Sequence, residues 1–112
     1  MRKYEFWLAF LVLLSAGTSC YKNEPVPTAD FNYAGNNQFF APCSVNFINQ
    51  SLNAFSYEWD LAEGYTSVEV NPIRYFSTPG SYVITLRSYT ESRNEWASAM
   101  KTIIIKDSTE QR

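Results

Sequence analysis

Histidine is absent from this 112-residue sequence, and cysteine occurs only twice. Histidine is the usual general base of serine and cysteine hydrolases and the commonest zinc ligand. Its absence therefore excludes most familiar hydrolytic mechanisms and the usual zinc sites. We expect a protein without enzymatic activity and without a cofactor.

Basic residues are also scarce, with 9 Lys and Arg against 11 Asp and Glu and a formal net charge of -2. They are scattered among acidic residues, whereas a nucleic-acid-binding surface needs a clustered basic face. Nucleic acid is therefore excluded as a partner. The longest apolar run falls well short of the ~20 residues that span a bilayer as a helix, which makes a permanent transmembrane anchor the weaker interpretation.

The N-terminus has the layout of a secretory signal. Arg2 and Lys3 precede an apolar run at 6–14, and small residues at 15–19 lead to Cys20. This order is typical of a removable segment, so residues 1–19 are predicted to lie outside the fold. Small residues that end at a cysteine also resemble the bacterial lipoprotein signal. The resemblance implies that Cys20 carries a lipid and anchors the protein to the outer membrane of a Gram-negative cell envelope.

Alternatives remain open for this region. Cleavage by an ordinary signal peptidase after Gly17 would leave Cys20 unmodified. The tetrapeptide 21–24 is similar to the lysine-plus-acidic signals of some surface-exposed lipoproteins, and the similarity implies exposure at the outer face. The same residues, followed by Pro25 and Pro27, also suit an ordinary polar spacer. We assign residues 20–27 to the lipidated cysteine and a linker.

From Thr28 onward, short segments of alternating polar and apolar residues are separated by turn residues, and no long run has helical period. This pattern predicts an all-β domain over residues 28–107, followed by a polar tail at 108–112. Seven short strands with regular turns favour a single two-sheet sandwich. The predicted strands are 29–33, 44–49, 55–59, 66–70, 73–76, 81–88 and 97–106.

The third predicted strand carries the expected centre of the core. Phe55, Tyr57 and Trp59 alternate with polar residues, so all three are expected on one face of the pleat. Trp59 is the largest of them, and we predict that it is buried.

Several segments, in their order and spacing, together resemble a PKD domain over about residues 26–106. They are Asp30-Phe31, Val45-Asn46-Phe47-Ile48-Asn49, Tyr57-Glu58-Trp59-Asp60-Leu61-Ala62-Glu63-Gly64, Pro72, Phe76 and Pro79-Gly80-Ser81-Tyr82-Val83-Ile84-Thr85-Leu86.

The resemblance implies an immunoglobulin-like β-sandwich whose motif residues serve the fold rather than chemistry. This sequence departs from the family at 61–63, where the family has phenylalanine, glycine and aspartate. If that glycine takes a positive φ, Ala62 must either strain or reshape the turn. The motif residues are Trp59, Asp60, Gly64, Pro79, Gly80 and Tyr82.

Asp60 and Glu63 are weak candidates for metal binding. Calcium takes six to eight oxygen ligands, and two carboxylates are too few. Asp60 is expected instead to accept hydrogen bonds from backbone amides of its own turn. An acid and base pair for glycoside hydrolysis would also need a cleft, which short loops do not suggest.

Cys43 has three possible roles. It is a reactive thiol, a partner for Cys20 in a disulfide, or a small apolar side chain in the core. Acylation of Cys20 would leave it without a partner in the chain. The absence of histidine also leaves it without an obvious activating base, so we favour the third role.

Five aromatic residues fall outside the clearest core positions. They would form a binding platform for sugar rings or a partner protein if exposed together, or would cap the ends of the core. These candidates for ligand binding are Phe39, Phe40, Tyr65, Tyr89 and Trp96.

PKD-like modules usually accompany catalytic or adhesive domains and mediate protein or carbohydrate interactions. The resemblance therefore implies a non-catalytic lipoprotein of the cell envelope, acting as an accessory subunit or adhesin. One alternative is a carbohydrate-binding lipoprotein of a glycan-uptake system that uses the five aromatics. The other is a structural spacer with neither kind of partner.

Overall fold

The computed structural model describes residues 24–110. The predicted signal segment, Cys20 and residues 21–23 of the linker lie outside the described residues, as do the last two residues of the tail. The described residues form seven β-strands and two short 3-10 turns, at Asn37–Phe39 and Ser108–Glu110. The strands are β1 (Phe31–Gly35), β2 (Cys43–Asn49), β3 (Ser56–Asp60), β4 (Thr66–Ser67), β5 (Ile73–Phe76), β6 (Gly80–Tyr89) and β7 (Trp96–Ile105).

These strands form two antiparallel sheets that pack face to face. The first has the order β1-β2-β5, and the second has the order β4-β3-β6-β7. The prediction of an all-β sandwich with seven strands is therefore confirmed. The fourth strand is shorter than the predicted 66–70, because the Ser67 hydroxyl accepts a hydrogen bond from the Glu69 amide at 3.1 Å and turns the chain out of the ladder.

Trp59 lies at the centre of the core, as the sequence predicts. Its ring meets Phe31 of the opposite sheet edge-on at a centroid distance of 5.1 Å, and Phe47 at 5.6 Å. Its indole Nε1 donates a hydrogen bond of 2.9 Å to the carbonyl oxygen of Glu69. The side chain thus packs against the first sheet and also holds the segment that follows β4.

The expectation that Phe55 shares the buried face with Trp59 is wrong. Phe55 precedes the first paired residue of β3, and its side chain is 66% exposed. Its backbone amide still donates to the carbonyl of Tyr89 at 2.7 Å. The chain is therefore held at the end of the sheet while the ring stays in solvent.

The acidic turn after β3 contains three successive residues with left-handed backbone. Ala62, Glu63 and Gly64 have φ values of 76°, 56° and 83°. Only the third has no Cβ to crowd the carbonyl, so Ala62 adopts a positive φ at the cost of strain. The Oδ1 atom of Asp60 accepts a hydrogen bond from the Ala62 amide at 3.0 Å, which confirms its predicted role in the turn.

A second anchor lies where the chain enters β6. The hydroxyl of Tyr82 donates a hydrogen bond of 2.7 Å to the carbonyl oxygen of Thr78, across Pro79 and Gly80. The ring of Tyr82 packs against Phe76 at a centroid distance of 4.5 Å. A tyrosine that binds back to the backbone just upstream in this way fixes the corner of immunoglobulin-like sandwiches.

Candidate functional site

The outer face of the four-stranded sheet carries exposed polar and apolar groups from several strands. In β6, Ile84 and Leu86 are buried, so the alternating Thr85 and Arg87 point away from the core. The register places Glu58 of β3 opposite Arg87. Side chains from separate strands are therefore brought together on one surface.

An open groove of about 770 Å³ runs across this face, and we call it the outer groove. Carboxylates, hydroxyls, a guanidinium and apolar side chains all border it. This mixture suits a ligand that presents both hydrogen-bonding groups and apolar patches. The bordering residues are Glu58, Trp59, Asp60, Thr66, Ser67, Val68, Thr85, Arg87 and Met100.

Glu58 is the most constrained carboxylate of the outer groove. It accepts a hydrogen bond from the Tyr89 hydroxyl at 2.9 Å and one from Arg93 at 3.1 Å. The Tyr89 hydrogen bond, and then that of Arg93, lower the pKa of the Glu58 carboxyl. A general acid needs a raised pKa, so Glu58 is suited to bind a ligand as an anion rather than to protonate one.

Trp96 lies beside the outer groove, in contact with Arg87, at one end of the sheet. Its side chain is 54% exposed, and the guanidinium carbon of Arg87 lies 5.2 Å from its ring centroid. The ring also lies 6.5 Å from that of Tyr89, its partner across the β6–β7 ladder. An exposed indole beside a groove offers a flat apolar surface next to hydrogen-bonding groups.

The five predicted aromatics do not form a single platform. Tyr89 and Trp96 lie at one end of the β6–β7 ladder, and Phe40 packs against Lys106 at the other. Phe40 and Tyr89 are each only 8% exposed, and Tyr89 lies on the outer face of the sheet, where its hydroxyl binds Glu58. Of the five, Trp96 is exposed and lies beside Arg87, one of the residues that border the outer groove.

The remaining two aromatics belong to local clusters. Phe39 packs edge-on against Tyr33 at a centroid distance of 5.9 Å. Tyr65 is exposed, and the guanidinium carbon of Arg74 lies 3.9 Å from its ring centroid. Their role as ligand contacts remains a prediction, and neither is part of the outer groove.

The two weak metal candidates are both engaged within the chain. Asp60 binds its own turn, and Glu63 forms an ion pair of 3.2 Å with Arg74. Among residues 24–110, no three His, Cys, Asp or Glu side chains come together as a metal-binding group. The acidic turn is therefore best described as a structural element of the sandwich.

Cys43 begins β2 and is almost completely buried in the core. Burial raises the pKa of its thiol, which disfavours the reactive thiolate. The structure thus favours the apolar role among the three considered for this residue. In the described part of the chain, no helix has the length and hydrophobicity needed to cross a membrane.

Two antiparallel sheets, a central tryptophan and a tyrosine at the β6 corner define a small immunoglobulin-like β-sandwich. Solved structures place this sandwich among PKD-like domains. The PKD1 domain of the Vibrio cholerae metalloprotease PrtV matches with a TM-score of 0.61 and 27% identity, over 73% of this chain and 99% of that one. The PKD1 domain of Vibrio anguillarum Epp matches with a TM-score of 0.64 and 21% identity, over 76% and 99%.

A third structure has the same sandwich but a different described role. It is described as showing the structural basis for the promiscuous specificity of carbohydrate-binding modules from the β-sandwich superfamily. It matches with a TM-score of 0.67 and 19% identity, over 77% of this chain and 36% of that one. At this identity, the likeness concerns the fold.

The sequence comparisons are narrower. No protein-family model matches the chain. Collagenase ColQ1 of Bacillus cereus (strain Q1) is 35% identical over 52 residues, which are 46% of this chain and 5% of the collagenase. The chain thus spans a small part of that relative. Taken with the structures, the comparisons show a PKD-like domain.

Proposed function

We propose that this protein is a non-catalytic recognition module of the cell envelope that binds its partner through the outer groove. The observation that carries the proposal is the groove itself, where Glu58, Asp60 and Arg87 are brought together beside the exposed Trp96. These groups lie on the outer side of paired strands, so they are held in place without a loop. Such rigid placement lowers the entropy cost of binding.

A non-catalytic role is supported by the chemistry of the groups present. The whole sequence lacks histidine. Glu58 has a lowered pKa and Asp60 binds its own turn, so neither is set up as the general acid that glycoside hydrolysis requires. PKD-like domains are also typically non-catalytic modules. The similarity of this chain to the two PKD1 domains therefore supports a non-catalytic role.

Filling the outer groove tests the proposal. Thr85 lies between Asp60 and Met100 in the ladder, and a Thr85→Trp side chain would occupy the groove while suiting a strand. Asn46→Trp places the same bulk on the exposed face of the other sheet and serves as the matched control. The full chain and both variants would be tagged, and retention of envelope proteins and glycans compared.

Partners retained by wild type and by Asn46→Trp, but lost from Thr85→Trp, would support the outer groove as the site. Equal retention by Thr85→Trp would place the contact elsewhere. A wild type that retains nothing would favour the structural spacer.

Carbohydrate binding is a second, more specific candidate, and the exposed indole of Trp96 favours it. A flat ring stacks on the apolar face of a sugar, while Glu58 and Arg87 supply an acceptor and donors for hydroxyls. On a glycan array, signal from wild type that is lost with Trp96→Ala, but kept with Tyr75→Ala on the other sheet, is the expected result. A blank array for wild type would count against this candidate.

Envelope anchoring through Cys20 is proposed on the sequence signal. The intact mass and membrane partition of the full chain, expressed in a Gram-negative host, would be measured beside Cys20→Ala. A mature protein that starts at Cys20, is heavier by a diacylglyceryl group and leaves the membrane in the variant is expected. A soluble, unmodified product from both would contradict lipidation and leave the recognition role to be tested in solution.

A further inference from the structure

β7 is a ten-residue strand at the edge of the four-stranded sheet. It pairs with β6 along its whole length. Within residues 24–110, the one backbone bridge on its other side joins Lys106, just past the strand, to Phe40. The edge of β7 is therefore open over residues 96–104, a length that edge strands of soluble proteins usually interrupt or protect.

The direction of the unpaired backbone groups follows from the two ends of the strand. The Lys106 amide donates to Phe39 and its carbonyl accepts from Ala41, both on the side away from β6. The Glu95 carbonyl accepts from Thr90, on the side of β6. Because these directions alternate along an antiparallel strand, even-numbered residues of β7 direct their N–H and C=O groups to the open edge.

β7 lacks two of the usual protections of an open edge, which are a proline and a charged side chain on its outward face. The strand contains no proline. Its one charged residue, Lys101, turns its Nζ toward the first sheet, where it contacts the carbonyl oxygen of Phe31 and lies 3.6 Å from Asp30. Its charge is thereby paired with the first sheet within one chain, and it does not lie on the outward face of β7.

The outward side chains of β7 read as a self-complementary sequence. From Trp96 they run tryptophan, serine, methionine, threonine, isoleucine, with Met100 in the middle. A second strand laid antiparallel with Met100 opposite Met100 would place Trp96 opposite Ile104 and Ser98 opposite Thr102. Aromatic with β-branched, and hydroxyl with hydroxyl, are favourable cross-strand pairs.

The same register leaves no like charges opposite one another, because Lys101 would face Ala99. Trp96, Met100 and Ile104 are each more than half exposed in the single chain, so the pairing would cover apolar surface. Five even-numbered residues on each strand would exchange about ten backbone hydrogen bonds.

We propose that a second copy of this chain adds its β7 to β7 in this register, so that two four-stranded sheets become one eight-stranded sheet. The two-fold axis passes beside Met100. Because Met100 also borders the outer groove, the two grooves meet at the seam and face the same side.

Charged substitutions at residue 100 provide the test. In the proposed register, a charge at this position would lie opposite the same charge on the second copy. Two differently tagged full chains would be co-expressed in one Gram-negative host, and co-purification in detergent measured. Wild-type copies are expected to co-purify. Co-purification of Met100→Lys with itself, and of Met100→Glu with itself, should fall several-fold, and Met100→Lys with Met100→Glu should recover it.

Val83→Lys is the matched control, because it adds the same charge to the same face but on β6, away from the edge. It should co-purify with itself as wild type does. Failure of wild-type copies to co-purify, or loss in both charge variants without recovery in the mixed pair, would overturn the proposal. So would undiminished self-association of Met100→Lys, because the contact would then lie elsewhere.

Discussion

The Nε atom of Arg74 donates a hydrogen bond of 3.1 Å to the carbonyl oxygen of Leu61, and so joins β5 of one sheet to the acidic turn of the other. The guanidinium is almost completely buried between the rings of Tyr65 and Phe76, at 3.9 and 4.3 Å from their centroids. Its ion pair with Glu63 completes the site. A buried cation with this set of partners holds the strained turn in place.

Arg74→Met is expected to lower the free energy of unfolding by about 2 to 3 kcal/mol. The loss combines an unpaired buried carbonyl with the lost stacking of the guanidinium, and methionine retains most of the apolar stem. Urea unfolding would measure it. Arg93→Met is the control, because its half-exposed ion pair with Glu58 is worth less than about 1 kcal/mol. Equal losses in the two variants would contradict the structural role of Arg74.

Trp59→Ala should cost about 3 to 5 kcal/mol, because it empties the centre of the core. Trp96→Ala removes the same side chain from a site that is 54% exposed and should change stability by less than about 1 kcal/mol. Thermal or urea unfolding of the two variants separates these effects. Similar destabilisation by both would mean that Trp59 does not organise the core.

Tyr82→Phe tests the corner at the start of β6. The change removes only the hydroxyl that binds the Thr78 carbonyl, so a loss of about 1 kcal/mol is expected. Tyr75→Phe makes the same chemical change at an exposed site on β5 and should leave the urea midpoint unchanged. A Tyr82→Phe midpoint equal to wild type would show that the hydroxyl adds no net stability.

The sequence predicts the strands well because turn residues and alternation are local signals. The bounds 73–76 of β5, for example, agree with the structure. The sequence does not predict which side of that strand faces the core. In the structure, Ile73 and Tyr75 are exposed, whereas Arg74 and Phe76 are buried. Alternation offers two equally spaced faces, and the more apolar one is here outside. Only the partners of Arg74 across the sandwich explain the choice.

The outer groove depends on register between strands, which no local pattern supplies. Glu58 and Arg87 are 29 positions apart in the sequence and opposite each other in the ladder. The choice of aromatics shows the same limit, because Tyr89 and Trp96 are paired across β6 and β7 while Phe40 lies at the far end. Tyr89 is buried because Trp96, Arg93 and Glu58 all contact it, and these contacts depend on the register between strands.

The lowered pKa of Glu58 predicts how stability changes with pH. A carboxyl whose pKa is lower in the folded state stabilises the fold above its unfolded pKa, about 4.3, and loses this contribution as the pH falls through the folded value. Wild type should therefore exceed Glu58→Gln in urea midpoint at pH 7 and retain that advantage to about pH 5. The advantage should then disappear toward pH 3, where the protonated carboxyl resembles the amide.

Two controls make this pH series specific to the contacts with Tyr89 and Arg93. Glu91→Gln, at an exposed loop position, should follow wild type across the series. High salt should shrink the Glu58 advantage at pH 7, because ions screen the exposed pair with Arg93 but leave the Tyr89 hydrogen bond. A difference in urea midpoint that stays constant from pH 7 to pH 3 would mean that ionisation of Glu58 does not stabilise its contacts with Tyr89 and Arg93.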